Sequence, residues 1–403
     1  MNSLIESNKQ TNKRWKVGGL PRNITSFDLN ATTSVEAALS YLTSFGNVHM
    51  VPAGDLARSI AALGINPRVS FQKNDSSTSW YSLVRERLDG SSTYIYVYND
   101  ATGLKLRSGA SSGNITIEYP GVPYFYDAWT GTETPAMIYS QEGRRTTIPL
   151  SLAGNQTTII VLKHKGRPPC TSVRQSDHPV QVHTPWLKPS NGKSILVCPN
   201  RISCQVQLSD GRSLSVPSSW ADAPLALANW TLTLESWQAP SNLSHQLPED
   251  TVKVNTTYQI AALRPWNELT IANLSYVSGR GFYQSTFSWP PPGSSNGDTA
   301  GAVLDLGPVL HTAVAYINGR RLPPLDITAA QADISKYIHE GDNVLDVVVS
   351  TPLGNALVPL WDTVLSAGNH ARITFWNGSP TYGVREYGLV GEVVVRPYSG
   401  VAI

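Results

Sequence analysis

The sequence predicts a mainly β protein with two β-sandwich units, preceded by a short α/β remnant. Glycine and proline number 31 and 28 among the 403 residues, which supplies the turns that many short strands need. Period-two alternation of apolar residues is frequent beyond residue 77, whereas helical spacing is clearest before it. We therefore divide the chain into an α/β remnant (1–77), a small β-sandwich (78–165), a linker with a few strands (166–227) and a jelly-roll sandwich (228–403).

The first region carries the clearest helix signals. Thr33 and Glu36 form a capping box that predicts a helix after it. Asp55 is an N-cap for a second helix that ends at Gly64, and a short strand is predicted between the two helices at 48–51. These elements are too few for a complete doubly wound sheet. We interpret the region as the end of a domain whose beginning is absent.

The remaining strands follow from alternation and from turn residues. In the first sandwich, strands are predicted at 93–98, 114–119, 148–152 and 157–163. The linker holds strands at 194–198 and 203–208, and the second sandwich holds strands at 230–234, 281–288, 302–306, 313–317, 343–350 and 391–396. Asp333 and Gly341 bracket one short predicted helix. Asn318-Gly319 predicts a tight hairpin, because both central residues of a type I′ turn take positive φ.

Composition excludes two classes of partner. Charged residues make up 15%, below the ~25% of an average soluble domain, and the net charge is +2. No run of lysine and arginine resembles a nucleic-acid or membrane patch. No stretch approaches the ~20 apolar residues of a membrane-spanning helix. We expect neither a nucleic-acid partner nor a membrane partner.

The body of the chain is typical of a secreted glycoprotein. Ten Asn-X-Ser/Thr triplets occur, among them the glycosylation candidates Asn114, Asn155, Asn229, Asn255, Asn273 and Asn377. Residues 1–19 lack the apolar core of a signal peptide, so we expect that the native N-terminus lies further upstream. The alternative is a chance excess of triplets in a chain rich in serine and threonine.

The three cysteines leave their pairing open. Cys198 and Cys204 are close enough in sequence to close a small loop, and Cys170 lies upstream in the linker. One disulfide and one free thiol is our expectation. No Cys/His spacing resembles a zinc site, so no metal ligand is predicted.

Catalytic motifs are not recognisable, and no catalytic residue is predicted. A glycoside hydrolase usually needs two carboxyl groups that face each other across a pocket. Nothing in the sequence pairs any two of the candidates, which are Asp127, Glu133, Glu235, Glu268, Asp305, Asp362, Glu386 and Glu392.

Four residues of the second sandwich are candidates for carbohydrate binding. Trp266, Trp289 and Trp361 lie near loops or strand ends, where an indole face can stack on the C–H face of a sugar. Arg280 stands between two glycines and could be held outward to bind a hydroxyl or a carboxylate. The alternatives are that the tryptophans fill the core and that the glycines serve only a tight turn.

Three ordered segments carry a resemblance to a known family. They are SGRGFYQSTFSWPPP (278–292), AVAYINGRRLPP and its continuation to residue 355, and YGLVGEVVVRPY (387–398). Together they resemble the galactose-binding-like jelly roll that accompanies the catalytic barrels of glycoside hydrolases. With YIYVYNDATG and RTTIPLSLAGNQTTIIVLK, the chain is similar to secreted fungal α-L-rhamnosidases of glycoside hydrolase family 106.

The resemblance implies a catalytic barrel on the N-terminal side of these parts. In that family the barrel supplies glutamates for an inverting, calcium-assisted hydrolysis. No residue of this chain matches those glutamates, so none is carried over, and calcium is implied by the resemblance alone. The implied partners are a plant glycoside or other carbohydrate and a barrel encoded upstream.

Three functions remain open at this point. The leading one is a non-catalytic C-terminal part of a secreted α-L-rhamnosidase-like glycoside hydrolase, which buttresses a barrel absent from this sequence and contacts carbohydrate. The second is a stand-alone carbohydrate-binding protein. The third is an active glycoside hydrolase whose site is not recognisable from the sequence.

Overall fold

The computed structural model confirms the mainly β fold class. It describes residues 15–18, 37–51, 56–103, 108–136, 138–164, 186–190, 193–199, 204–207, 213–216, 223–240, 247, 251–269, 274–291, 299–361 and 383–402. The chain divides into two compact units, Met1–Arg68 and Val69–Ile403. None of the described helices has the length and apolarity needed to cross a membrane.

The described residues of the first unit form a parallel strand pair and two helices. Strands β1 (Trp15–Gly18) and β2 (Val48–Val51) pair in parallel. Helix α1 spans residues 37–43, and helix α2 spans Leu56–Ala62. The predicted strand at 48–51 and the predicted helix after Asp55 are both present, although Asp55 itself lies outside the described residues.

The second unit begins with a sandwich of two antiparallel sheets. Its strands are β3 (Val69–Lys73), β4 (Ser79–Glu86), β5 (Ser92–Asp100), β6 (Ser111–Ile117), β7 (Val122–Tyr126), β8 (Glu133–Pro135), β9 (Ser140–Glu142), β10 (Arg145–Leu152) and β11 (Thr157–Lys163). The four-stranded sheet has the order β3-β6-β10-β9, and the five-stranded sheet has the order β4-β5-β11-β7-β8. Ile95, Ile115, Ile148 and Ile160 are fully buried between the two sheets.

A second sandwich follows, built from two six-stranded sheets. Its strands are β12 (Trp186–Ser190), β13 (Lys193–Pro199), β14 (Cys204–Gln207), β15 (Ser213–Val216), β16 (Leu225–Ala226), β17 (Trp230–Gln238), β18 (Val252–Ile260), β19 (Gly279–Trp289), β20 (Thr299–Asp305), β21 (Val309–Leu310), β22 (Thr312–Ile317), β23 (Arg320–Arg321), β24 (Gln331–Asp333), β25 (Gly341–Ser350), β26 (Gly388–Leu389) and β27 (Val394–Ala402). One sheet has the order β12-β13-β27-β20-β24, with β16 added beside β27, and the other has the order β18-β17-β19-β25-β22-β23. Strands β14 and β15, and strands β21 and β26, form two further pairs. A four-residue helix, α3 (Gly354–Leu357), follows β25.

Alternation along the strands fills the core of this second sandwich. Leu232, Leu345 and Val347 from one sheet and Leu304 and Val395 from the other are fully buried. The residue that directly follows each of them on its strand is more exposed, which is the period of a strand with one face in the core.

The Asn318-Gly319 hairpin is present as predicted. Asn318 has φ of 51° and Gly319 has φ of 74°, and the turn joins β22 to β23. The Asn318 side chain accepts a bond from the Val344 backbone N–H (2.9 Å) and donates to Asn343 Oδ1 (2.8 Å). The hairpin is therefore tied to β25 and serves the fold.

Three features differ from the sequence-based expectation. Strand β3, which we placed in the first region, pairs with β6 inside the first sandwich. Strand β13, which we placed in a linker, pairs with β27 of the second sandwich. The helix predicted after Asp333 is one turn, in which the Ile334 carbonyl accepts bonds from the backbone N–H groups of Tyr337 and Ile338. In the first two cases long-range strand pairing, which local signals do not contain, decides the structure.

Candidate functional site

The outer surface of the five-stranded sheet is dominated by tyrosines. Ile95 and Val97 of β5 point into the core, so their neighbours on the strand point outward. Strand register extends this outward surface across the sheet. We call it the tyrosine face, and it consists of Tyr81, Leu83, Arg85, Tyr94, Tyr96, Tyr98, Tyr124, Tyr126, Thr157, Ile159 and Val161, of which Val161 is covered by its neighbours and only 1% exposed.

Several side chains of the tyrosine face are open to solvent. Tyr81 is 57% exposed, Leu83 is 56% exposed and Tyr96 is 41% exposed. The rings of Tyr94 and Tyr126 lie 6.2 Å apart between centroids and are tilted by 46°. The face thus offers apolar ring surface with phenolic hydroxyl groups at its rim.

A charged pair lies at the β8 side of the tyrosine face. Lys163 forms an ion pair with Glu133, and its ammonium lies 4.3 Å from the ring centroid of Tyr124. Burial would raise the pKa of Glu133, but hydrogen bonds from Lys163 and Tyr126 outweigh it and hold that pKa below its ordinary value. The bond to Glu133 raises the pKa of Tyr126, and the same carboxylate raises the pKa of Lys163. The three groups keep their ordinary charges at neutral pH.

An exposed tryptophan stands beside this pair in the loop between β7 and β8. Asp127 Oδ1 accepts a bond from the Trp129 backbone N–H (2.8 Å), and Asp127 Oδ2 accepts one from Thr130 Oγ1 (2.7 Å). Gly131 closes the loop with φ of 69° and donates its N–H to the Asp127 carbonyl. These bonds fix the backbone while Trp129 stays 47% exposed.

The opposite face of the same sandwich has different chemistry. The outward positions of the four-stranded sheet are Ser70, Gln72, Ser112, Asn114, Thr116, Thr147, Pro149 and Ser151. Thr116 and Thr147 share a hydroxyl–hydroxyl hydrogen bond of 3.0 Å across the strands. An ordinary solvated sheet face looks like this one. The tyrosine face is therefore a property of one sheet and is not a general feature of the sandwich.

Trp266 lies in the core of the second sandwich. It is 1% exposed, and its indole N–H donates to the hydroxyl of Tyr283 at 2.7 Å. That hydroxyl also accepts a bond from the Leu389 backbone N–H at 3.2 Å. The ring offers no free face to a sugar, and for this residue the core-filling alternative applies.

Arg280 is exposed on the outer face of β19 and belongs to a small polar cluster. Its guanidinium carbon lies 5.6 Å from the ring centroid of Trp237, and the Lys253 ammonium lies 5.6 Å from the same centroid. Glu235 Oε1 accepts a bond of 2.7 Å from the Trp237 indole N–H. The arginine is exposed, but its cation is already placed beside a ring of its own sheet, and sugar binding by Arg280 stays a prediction.

Trp289 and Trp361 are half-buried and lie elsewhere. Trp289 ends β19 opposite Gly341, and it packs against the core cluster. It lies nine positions along the extended strand from Arg280, a distance of about 30 Å. Trp361 follows a 3-10 turn at Val358–Leu360. Arg280 and Trp289 therefore cannot hold the same sugar residue.

One end of the second sandwich contains buried polar atoms. His311 Nε2 and Asn267 Oδ1 have no hydrogen-bond partner within the described part of the chain. The ring centroids of His311 and Tyr387 are 5.2 Å apart, and burial followed by the charge of Arg385 lowers the pKa of His311. Ordered water is the usual partner of such atoms.

Four of the eight candidate carboxylates, those of Asp127, Glu133, Glu235 and Asp305, make local structural contacts. Besides Asp127 and Glu133, Asp305 lies 3.6 Å from Arg396 and accepts a bond from Gln331 at 3.1 Å. Within the described ranges no group of three or more His, Cys, Asp or Glu residues could hold a metal ion. The calcium implied by the family resemblance has no ligand set among them, and Asp362 lies outside the described residues.

Four of the six glycosylation candidates are exposed. They are Asn114 on β6, Asn155 before β11, Asn229 before β17 and Asn255 on β18. Asn273 and Asn377 lie outside the described residues, as does Cys170. For Cys198 and Cys204 the structure gives only the strands, β13 and β14. Glycosylation and disulfide pairing therefore stay predictions.

Comparison with known proteins relates the chain to glycoside hydrolases. No protein-family model matches it. A rhamnosidase from Novosphingobium sp. PP1Y superposes with a TM-score of 0.54 and 19% identity over 95% of this chain and 31% of that one. A putative β-glucuronidase from Formosa agariphila is 24% identical over 268 residues, which are 65% of this chain and 20% of that protein. A β-glucuronidase from Faecalibacterium prausnitzii is 17% identical over 44% of this chain and 32% of that one, but its TM-score of 0.28 is too low to indicate a shared fold.

These likenesses define a class of fold. The chain resembles β-sandwich regions of glycoside hydrolases of the rhamnosidase and β-glucuronidase kinds. It spans about a third of the rhamnosidase, at 31%, and a fifth of the glucuronidase, at 20%.

Proposed function

We propose that the chain is a non-catalytic, accessory part of a secreted α-L-rhamnosidase-like glycoside hydrolase, which supports a catalytic domain and contacts carbohydrate. The observation that carries this proposal is the superposition of 95% of the chain on 31% of a rhamnosidase. A mainly β portion that accounts for so little of the larger protein fits an accessory role. The local contacts of the Asp127, Glu133 and Asp305 carboxylates also support it.

We place the carbohydrate contact on the tyrosine face. Sugar rings present C–H faces that stack on aromatic side chains, and their hydroxyls bond to phenols and to charged groups. The tyrosine face offers both, with exposed rings at Tyr81 and Tyr96 and the Lys163–Glu133 pair at one side. Trp129 adds an indole at the adjacent loop, where the Asp127 bonds hold the backbone in place.

The size of the tyrosine face favours an oligosaccharide over a protein partner. Strands about 4.8 Å apart and three rows of outward side chains give a face of roughly 300 Å². Each partner in a standard stable protein interface contributes about 800 Å². A short sugar chain needs only a strip of stacked rings, which this face supplies.

A glycan array followed by titration tests the carbohydrate contact. We expect the chain to bind an oligosaccharide, and we expect Tyr81→Ala with Tyr96→Ala to weaken that binding by at least about tenfold, or ~1.4 kcal/mol. The matched control is Ser112→Ala with Thr147→Ala on the opposite face, which should bind as the parent does.

Two results would overturn the assignment of the tyrosine face. One is the absence of binding to any glycan on the array at the highest concentration tested. The other is glycan binding that both double variants retain equally. A concentration-dependent dimer that the tyrosine substitutions abolish would instead identify a second copy of the chain as the occupant, and would also contradict the proposal.

A further inference from the structure

Strand β18 is a long edge strand with little protection of its own. It ends the six-stranded sheet, and among the described strands it pairs only with β17. Eight of its nine residues are exposed or half-buried, including Val252 at 43% and Val254 at 41%. An edge of this kind presents unpaired backbone N–H and C=O groups to any other extended chain.

The sequence of β18 would favour such pairing. VKVNTTYQI is rich in β-branched and aromatic residues and contains no proline. Its single charge belongs to Lys253, whose ammonium lies 5.6 Å from the ring centroid of Trp237 on the neighbouring strand β17. The lysine side chain therefore lies over its own sheet and places no charge at the free edge of β18.

The other edges of the large sheets are protected in familiar ways. Strands β8, β9, β23 and β24 are two or three residues long. Strand β12 contains Pro189, β3 is only five residues long, and β4 carries Arg85 and Glu86. Short length, proline and charge are the ordinary means of blunting an edge. Strand β18 has nine residues and none of these means on its free side.

We propose that an N-linked glycan on Asn255 is the device that protects the β18 edge. Asn255 begins the triplet Asn255-Thr256-Thr257 near the middle of the strand, and its side chain is exposed. Thr257 lies on the same face and shares a hydroxyl bond of 2.8 Å with Thr233. A branched sugar at this position excludes a second strand from the edge by its volume, while the bonds to β17 stay intact. The inference rests on the predicted secretion of the chain and is independent of the tyrosine face.

Expression in a secreting eukaryotic host tests the inference. Glycopeptide mass spectrometry should find Asn255 occupied, and the parent chain should elute as a monomer in size-exclusion chromatography with light scattering. Asn255→Gln should lose the monomer peak to oligomers as the concentration rises. The matched control, Asn114→Gln, removes a triplet from β6 inside a sheet and should remain monomeric.

Two further measurements separate edge protection from a folding defect. Cleavage of the glycans of the folded Asn114→Gln protein with an endoglycosidase, which leaves one N-acetylglucosamine and does not convert Asn255 to aspartate, should produce the same oligomers without any change of sequence at β18. Adding Val254→Lys to Asn255→Gln should restore the monomer, because a charge on the edge replaces the sugar. An unoccupied Asn255 in a monomeric protein, or a deglycosylated protein that stays monomeric, would overturn the proposal.

Discussion

Replacing Trp266 with alanine should lower the free energy of unfolding by about 3–5 kcal/mol, the usual cost of emptying a core site of that size. The indole is 1% exposed and meets Tyr387 edge to face at 6.2 Å between ring centroids. Its loss also removes one of the two hydrogen-bond donors to the Tyr283 hydroxyl, the one at 2.7 Å. Chemical denaturation followed by circular dichroism measures the change.

The matched control for Trp266 is Trp129, which has the same side chain on the surface. Trp129→Ala should change the free energy of unfolding by no more than about 0.5 kcal/mol, because it removes an indole that is 47% exposed. A Trp266→Ala protein as stable as Trp129→Ala, but unable to bind a sugar that the parent binds, would contradict the placement of Trp266 in the core.

Replacing Tyr283 with phenylalanine should lower the free energy of unfolding by about 2–4 kcal/mol at neutral pH. The substitution keeps the ring and removes the acceptor of two buried donors, Trp266 Nε1 and the Leu389 backbone N–H. Each donor left without a partner costs roughly 1–3 kcal/mol. Denaturation at pH 7 measures this loss.

The same substitution should alter the dependence of stability on pH. Burial raises the pKa of Tyr283 to about 12 from the ordinary value of 10.0. Between these values the unfolded chain loses the phenolic proton while the folded chain keeps it, so stability falls as the pH rises. A difference of two units corresponds to roughly 2–3 kcal/mol, present below pH 10 and lost by pH 12. The parent chain should therefore lose more stability than Tyr283→Phe over this range, and parallel profiles would contradict the assignment.

The sequence predicted local structure best where a residue type has one conformational use. Asn318-Gly319 is such a case, since both residues have positive φ and the turn joins the predicted strands. Ala315 and Ile317 are buried while Val314 and Tyr316 are partly exposed, as alternation before the turn requires. Turn chemistry and period two act within a few residues, so they are visible in a single chain.

The edge strand β18 was missed because it lacks the pattern that marks a strand. A strand with one face in the core alternates between buried and exposed residues, as β19 does over 11 residues. Strand β18 is exposed on both faces for most of its length, so its apolar and polar residues need not alternate. Its only cue in the sequence was the density of β-branched residues.

The tyrosine face could not be predicted for a different physical reason. The strand at 93–98 was evident, but Tyr94, Tyr96 and Tyr98 alternate with Ile95 and Val97, and both sets can fill a core. Only packing against the second sheet decides that the aliphatic side chains are inside. The choice of Trp266 as a sugar platform failed for the same reason, since a tryptophan near a loop can lie on either side of the surface.

Incubation of the purified chain with aryl α-L-rhamnosides tests the non-catalytic role most directly. We expect no release of the aryl group above the rate without protein, because candidate carboxylates such as Glu133, paired with Lys163, and Asp305, paired with Arg396, are engaged in local contacts. Clear turnover that a single carboxylate substitution abolishes, in a variant that still folds, would show that the chain is itself a hydrolase and would contradict the account.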